Sequence, residues 1–347
     1  MTAKRNNFRW MLSALALVVT FVVDIASAQE TTARPVQLEM ESFFVATHQE
    51  YRAKVADWKY YYIVDEDQEK LPIELAASRP AKPIHVHQCG GSSGIQQQTA
   101  KIFGPLADVY SYWALIFTSN DKPAEGSLIW PGMDNPFLNH ARKMRELVGD
   151  NTPIVAYLFF NVAKGKEQRP ALLEEMQWQF IAAAGCGYRG VLWPNAYEDT
   201  TLGDDLKQIT VKANRHGRFL AQAKHIDWAK ADKGQGISTL ACDEYLFVFL
   251  LHPAYMTLDV TGNTVTIPLD KLTCEGTVTI TLPQGLTIRR GQTLEGKTLR
   301  LTKQDATTTV PYNFTSGGEM LIFTLAGKAE QAAAVSGVTD AMNTETE

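Results

Sequence analysis

Apolar and polar positions divide the chain into two parts with different rhythms. In the first part, short unbroken apolar runs alternate with stretches that repeat at helical spacing. Pro153-Ile-Val-Ala-Tyr-Leu-Phe-Phe-Asn161 and Tyr188-Arg-Gly-Val-Leu-Trp193 are such runs, the pattern of strands covered on both faces. Between them Leu172, Leu173, Met176, Phe180 and Ala183 or Ala184 recur at helical intervals and predict one apolar stripe. Pro170 sits where a helix can begin, because its missing N–H is one the first turn does not use. Gly185 and Gly187 then stop the helix. Strand, helix and strand in this order predict a β/α unit of a parallel sheet.

The preceding segments extend the same series. Trp58 to Val64, Pro83 to His87 and Asp108 to Phe117 read as strands, and Ile95 to Phe103 and Phe137 to Val148 as helices. Leu206 to Phe219 or beyond is a closing helix. These give five β/α steps between about Trp58 and Ala229. Ahead of them, Val36 to Val45 is an edge strand or a lead-in helix, and Gln49 to Ala56 is helical.

After Lys233 the rhythm shortens. Gly236 to Cys242, Tyr245 to Leu251, Met256 to Val260, Thr264 to Ile267, Gly276 to Leu282, Leu286 to Arg289, Thr298 to Leu301, Thr308 to Tyr312 and Met320 to Leu325 are short strands. Thr261-Gly-Asn263, Pro283-Gln-Gly285 and Ser316-Gly-Gly318 are turn signals between them. This predicts a small antiparallel β-sandwich. Cys242 and Cys274 fall in it, as a disulfide or as two core thiols. Residues 327–347, rich in Ala, Thr and Glu without an apolar pattern, predict a disordered tail.

The first residues belong to targeting. Lys4 and Arg5 precede an apolar run from Met11 to Val23, and Ala26-Ser-Ala28 ends it as a cleavage site would. The expected organisation is therefore a signal peptide over 1–28, a lead-in over 29–54, a β/α domain over 55–232 and the β-sandwich over 233–326. Export to the periplasm, the cell surface or the medium follows, with no membrane association after cleavage. The net charge of −5, with both signs interspersed, gives no basic face for nucleic acid. Four cysteines are too few for a disulfide scaffold.

Three pieces carry a resemblance. A strand ends in the acidic run Asp65-Glu-Asp67; Glu174-Glu-Met-Gln177 with Ala183-Ala-Gly-Cys-Gly187 precedes Gly190-Val-Leu-Trp193; and Asp243-Glu-Tyr-Leu-Phe-Val-Phe249 opens the second part. In these the chain, from about Val55 to Leu325, resembles the C-terminal half of a TIM-barrel glycoside hydrolase with its accessory β-sandwich. The resemblance implies an α/β fold, a partial or incomplete (β/α)8 barrel followed by the sandwich. It also implies a carbohydrate partner and no cofactor. With Trp58 opening the fourth barrel strand, three strands have no counterpart upstream. The expectation is a partial barrel, an edge covered by residues of Thr31 to Lys54, or a longer parent sequence.

Glycoside cleavage commonly uses two carboxyl groups, about 5–5.5 Å apart for retention and about 6.5–9.5 Å for inversion. In such barrels they sit at the C-terminal ends of strands. Glu66 is the candidate general acid, with Asp65 beside it; the alternative is a solvated strand end. The strand that should bring the second carboxylate ends in Phe160-Asn161, without an acid. Asp134, Glu167 and Glu198 are loop acids that nothing selects, and Asp108 begins its strand, where a structural role is expected. Asn161 and Asn195 are candidates for bonding sugar hydroxyls, and Trp193, Tyr197 and Trp130 for stacking on sugar rings. His85, His87 and Cys89 share one strand face, as a zinc site or as hydrogen-bonded core groups; no metal is assigned. Gly90-Gly-Ser-Ser-Gly94 lacks the ending of a P-loop. The competing function is a non-catalytic carbohydrate-binding or scaffold protein on a degenerate barrel.

Overall fold

A computed structural model describes residues 44–54, 59–63, 83–88, 93–114, 136–149, 151–158, 161–164, 167–170, 173–193, 201–232, 237–253, 259–261, 264–266 and 273–327. Asp65, Glu66, Cys89, Trp130, Asn195, Tyr197 and the segments 1–28 and 328–347, expected as signal peptide and tail, lie outside these residues.

The first half is a six-stranded parallel sheet. Its strands are β1 (Phe44–Thr47), β2 (Lys59–Ile63), β3 (Ile84–Gln88), β4 (Val109–Ala114), β5 (Ile154–Leu158) and β8 (Gly190–Trp193). They lie in the order β1-β8-β5-β4-β3-β2. The five steps from β2 to β8 are therefore consecutive neighbours, all parallel. The sixth strand, β1, comes from the lead-in and pairs parallel with β8, Phe44 opposite Gly190 and Thr47 opposite Trp193. Only Phe44 and Val45 of the Val36–Val45 segment are described, and both lie in this strand. It pairs the backbone groups along one side of β8 and is itself an end strand of the sheet. Helix α1 (His48–Lys54) follows β1 at once.

Alternation splits the sheet residues between two faces. Ile84, Val86, Tyr110, Tyr112, Ile154, Ala156, Val191 and Trp193 pack with α2 (Ser93–Phe103), α3 (Pro136–Val148), α4 (Leu173–Gly185) and α5 (Thr201–Asn214). Ala46, Val109, Val155 and Leu192 pack on the other side against Tyr51 of α1. Asp108 is structural, as expected from its place at the start of β4: its Oδ2 accepts from the Ile84 N–H at 2.8 Å.

Two elements differ from the sequence reading. Residues expected as a loop form an antiparallel hairpin, β6 (Asn161–Lys164) with β7 (Glu167–Pro170), and Asn161 pairs with Pro170. Pro170 thus closes a short strand, a position where its missing N–H is tolerated, instead of opening the helix. Helix α4 has no single apolar stripe. Met176, Trp178, Gln179, Phe180, Ile181 and Ala182 are all buried, which takes in its whole circumference. A helix covered all round needs a second layer, and the other half of the chain supplies it.

That half is antiparallel. One sheet has the order β16 (Leu286–Thr293), β19 (Gly318–Gly327), β12 (Tyr245–Leu251), β11 (Ile237–Ala241), β9 (Lys224–His225). The other has β10 (Ala229–Ala231), β15 (Cys274–Thr281), β18 (Thr307–Phe314), β17 (Thr302–Gln304). Strands β13 (Asp259–Thr261) and β14 (Thr264–Thr266) pair antiparallel as a separate two-stranded sheet. The short strands β9 and β10, which the sequence reading left in the β/α part, belong to these sheets. Expected Leu206–Phe219 is two helices, α5 and α6 (Gly217–Gln222).

The continuous apolar run of β12 now has a reason. Leu246, Val248 and Leu250 pack with Val278, Ile280, Val310 and Leu321 between the antiparallel sheets. Phe247, Phe249 and Leu251 join the core that contains α4. One strand is therefore covered by a sheet on one side and a helix on the other. The junction is close: a Cβ at Gly317 would stand 1.6 Å from the Glu174 carbonyl oxygen. Ser238 Oγ also donates to the Gly185 carbonyl at 2.6 Å, holding the end of α4. Cys242 and Cys274 are free thiols, the second of the two alternatives for them. No described helix is long and apolar enough to cross a membrane.

Candidate functional site

Parallel sheets present ligand sites at the C-terminal ends of their strands, where the connecting loops gather. Here that rim is formed by the ends of β1 through β5 and β8. On the Tyr51 face, just below it, lies a polar cluster inside an otherwise apolar surface. Alternation along Ile84-His-Val-His-Gln88 sends His85 and His87 to this face and Val86 to the helices. Parallel pairing sets His87 opposite Ser111 on β4, and Ser111 opposite Val155 on β5.

The four polar groups are joined. Ser111 Oγ is 2.6 Å from His85 Nε2 and 2.7 Å from His87 Nδ1. Tyr51 Oη is 3.3 Å from His85 Nδ1. The His87 ring lies 4.5 Å, centroid to centroid, from Tyr157, one residue before the end of β5. Tyr51 and His87 are 2% exposed and His85 and Ser111 fully buried, so each hydrogen bond acts in a low-dielectric setting where an unmatched group is costly. Both histidines are hydrogen-bonded to Ser111, while Cys89, the third group of that strand face, lies outside the described residues. Among the described residues no group of three His, Cys, Asp or Glu is placed to hold a metal ion.

The opposite face carries a second polar set, buried among the helices. Tyr112 donates to Tyr188 at 2.5 Å, and Tyr188 in turn donates to the Ala141 carbonyl at 2.9 Å. Burial pushes the Cys186 thiol beside them up to about 12, so it stays protonated. His140 Nε2 is 2.7 Å from Gln96 Oε1, and burial holds its pKa down at about 4. These groups tie α3 to β4 on the helix face of the sheet.

The predicted site residues divide in the same way. Trp193 is corrected: it lies on the helix face in the main core, 3% exposed, and offers no open ring for a sugar. The reason is register, since Trp193, two residues on from Val191, shares its side of the sheet. Asn161 opens the hairpin that follows the end of β5. Asp65, Glu66, Asn195, Tyr197 and Trp130 are outside the described residues. Sequence reasoning passed over Ser111 and Tyr51. Ser111 had a signal: it is the lone small polar residue in the apolar run Val109-Tyr-Ser-Tyr-Trp113, on the Val109 side. Tyr51 had none, because its partner His85 is 34 positions away.

No protein-family model matches the chain, and no curated protein matches it. Solved structures similar to it include a GH27 β-L-arabinopyranosidase from Geobacillus stearothermophilus, at 11% identity and TM-score 0.43, covering 81% of this chain and 60% of that one. An α-fucosidase from Thermotoga maritima, in complex with fucose, is 12% identical with TM-score 0.31, covering 82% and 80%. An α-amylase from H. orenii is 8% identical with TM-score 0.35, covering 80% and 58%. The chain thus spans 60% of the length of the arabinopyranosidase it matches.

Proposed function

We propose that this chain is an exported, glycoside-hydrolase-like protein acting on a polysaccharide or oligosaccharide. In this reading the parallel sheet is a partial (β/α)8 barrel and the antiparallel sheets are its β-sandwich. Glu66 is the general acid and Asp65 its neighbour; Asn161, Asn195, Tyr197 and Trp130 bind the sugar. The observation that supports it is the position of β2. Tyr62 pairs with His87 and Ile63 with Gln88, so β2 and β3 end level with each other, and Asp65 follows the end of β2 by two residues in the sequence. An acid that follows a strand end at the rim has the place from which such sheets do chemistry. Hydrolysis of a polysaccharide panel tests it, comparing wild type with Glu66→Gln. Loss of at least about a hundredfold in the variant is the expected result for a general acid.

A second reading is favoured by one feature. None of Ala46, His85, His87, Val109, Ser111, Val155, Tyr157 and Leu192 on the Tyr51 face is acidic. Described strand residues without an acid on this face fit a non-catalytic carbohydrate-binding protein as well. Sugar binding by both proteins with hydrolysis by neither selects this second reading.

A further inference from the structure

We propose that Arg215, Arg290 and a groove along α5 form a second carbohydrate contact, one that takes a polysaccharide bearing carboxylate groups. The argument starts from where the two guanidinium groups come from. Arg215 follows the last residue of α5, at the corner with α6, and Arg290 stands on β16, an end strand of the five-stranded antiparallel sheet. Both are exposed. Register sets Arg290 beside Thr324 of β19, and Thr324 beside Tyr245 of β12. Arg290 Nε donates to Thr324 Oγ1 at 3.3 Å. The half-buried His216 belongs to the same cluster, its ring centroid 6.3 Å from that of Tyr245. Burial lowers the His216 pKa, and Arg215 and then Arg290 lower it further. Two cations from different halves of the chain therefore act on one imidazole.

Like charges that converge call for a counter-charge. Among the described residues neither Arg215 nor Arg290 has a carboxylate partner, and Asp243 and Glu244, next to Tyr245 in the sequence, pair with neither. A groove of about 250 Å³ continues from Arg215 along α5, lined by Lys207, Gln208, Val211 and Lys212. Lys207 is paired with Asp204 and Lys212 with Glu295, so the two arginines are the charges these pairs leave over.

A guanidinium presents a planar fork of donors that fits a carboxylate at two points. Val211, 56% exposed, gives the groove an apolar surface on which the C–H face of a sugar ring can lie. A sugar polymer with acid groups matches both features, and a neutral polymer matches one. Arg215 stands at the end of α5 opposite the β8–α5 connection, so the strip is a contact additional to the rim. The inference deepens the carbohydrate reading by naming the class of polymer, and it rests on that reading for the polymer being a carbohydrate.

Binding of polygalacturonate to the full chain tests it, at low ionic strength where screening is weak. The controls are the same polymer with its carboxylates reduced to alcohols, dextran sulfate, and single-stranded DNA. Polygalacturonate should bind at least about tenfold more tightly than its reduced form, as expected for one charge-assisted hydrogen bond. Arg215→Gln and Arg290→Gln should each weaken it by about tenfold. Lys101→Gln, on the exposed side of α2, should leave it unchanged. Histidine NMR adds a second readout: bound carboxylates offset the two arginines, so the His216 pKa should rise. Equal binding of the reduced polymer, full affinity in both arginine variants, or a fixed His216 pKa with polygalacturonate bound overturns the proposal. Tighter binding of dextran sulfate or DNA overturns it too. Where an arginine variant does not fold, the reduced polymer and the His216 response of the wild type decide. The carbohydrate reading fails separately. Arginine-dependent binding of polygalacturonate, with no hydrolysis and no response at His87, keeps the strip and removes the rim. Hydrolysis of a neutral polymer that is lost in Glu66→Gln, with no binding of polygalacturonate, keeps the rim and removes the strip.

Discussion

The most quantitative consequence of the fold concerns Glu319, at the start of β19. This residue stands where the Gly317-Gly318 turn meets α4, and its Oε1 accepts from the N–H groups of Leu294 at 3.3 Å and Met320 at 3.0 Å. Burial is the main influence on its carboxyl and pushes its pKa up to about 7; Glu295 adds to the rise and Lys297 opposes it. The two backbone donors also oppose it but do not outweigh desolvation. In the unfolded chain the same group titrates at 4.5. The folded state thus holds this proton more tightly. The resulting stability is fully present below pH 4.5, is lost as pH rises towards 7, and stays lost above it. At about 1.4 kcal/mol per pH unit between these values, the loss is roughly 3 kcal/mol. Glu319→Gln keeps an acceptor oxygen for both donors and removes the ionisation. The variant should match wild type at pH 4.5 and exceed it by roughly 3 kcal/mol at pH 8, or roughly 5–10 °C in Tm. Urea denaturation at pH 4.5, 6 and 8 measures this. A stability difference that does not vary with pH, or a variant less stable at pH 8, refutes the reasoning.

Two further predictions address the core. Gly317→Ala places a methyl group against the Glu174 carbonyl and 2.8 Å from the Trp178 nitrogen, so α4 must shift from the antiparallel sheet. A loss of about 2–3 kcal/mol is expected by denaturation, as for other overpacked positions. In the Tyr112–Tyr188–Ala141 chain the two phenylalanine variants should differ. Tyr112→Phe leaves Tyr188 its acceptor and costs about 1 kcal/mol, whereas Tyr188→Phe strands the Tyr112 hydroxyl and costs about 1–3 kcal/mol. Equal losses would contradict that direction of donation.

The sequence made the strands of both halves legible where periodicity was strong. The run Tyr245 to Leu251 was recognised end to end, because an unbroken apolar stretch with an acidic pair before it has little freedom of register. The consecutive order of β2, β3, β4, β5 and β8 followed from the short β/α spacing. Burial of α4 on all sides was not legible, since Gln177 and Gln179 break the apolar pattern and only the meeting of two sheets covers them. The fate of Trp193 turned on one residue of register, which a terminal aromatic does not fix. The histidine pair was visible as a spacing, but its partners came from β4 and α1, elements distant in the chain. Chemistry assembled across strands leaves a residue-type signal without its geometry.

The central claim is that the rim above His87 receives a sugar. Histidine NMR during titration with an oligosaccharide that the protein binds tests it most directly. His87 should shift in proportion to sugar bound, while His140, half-buried on the helix face beside Gln96, should stay fixed. Saturation with the sugar that leaves His87 unmoved would contradict the account.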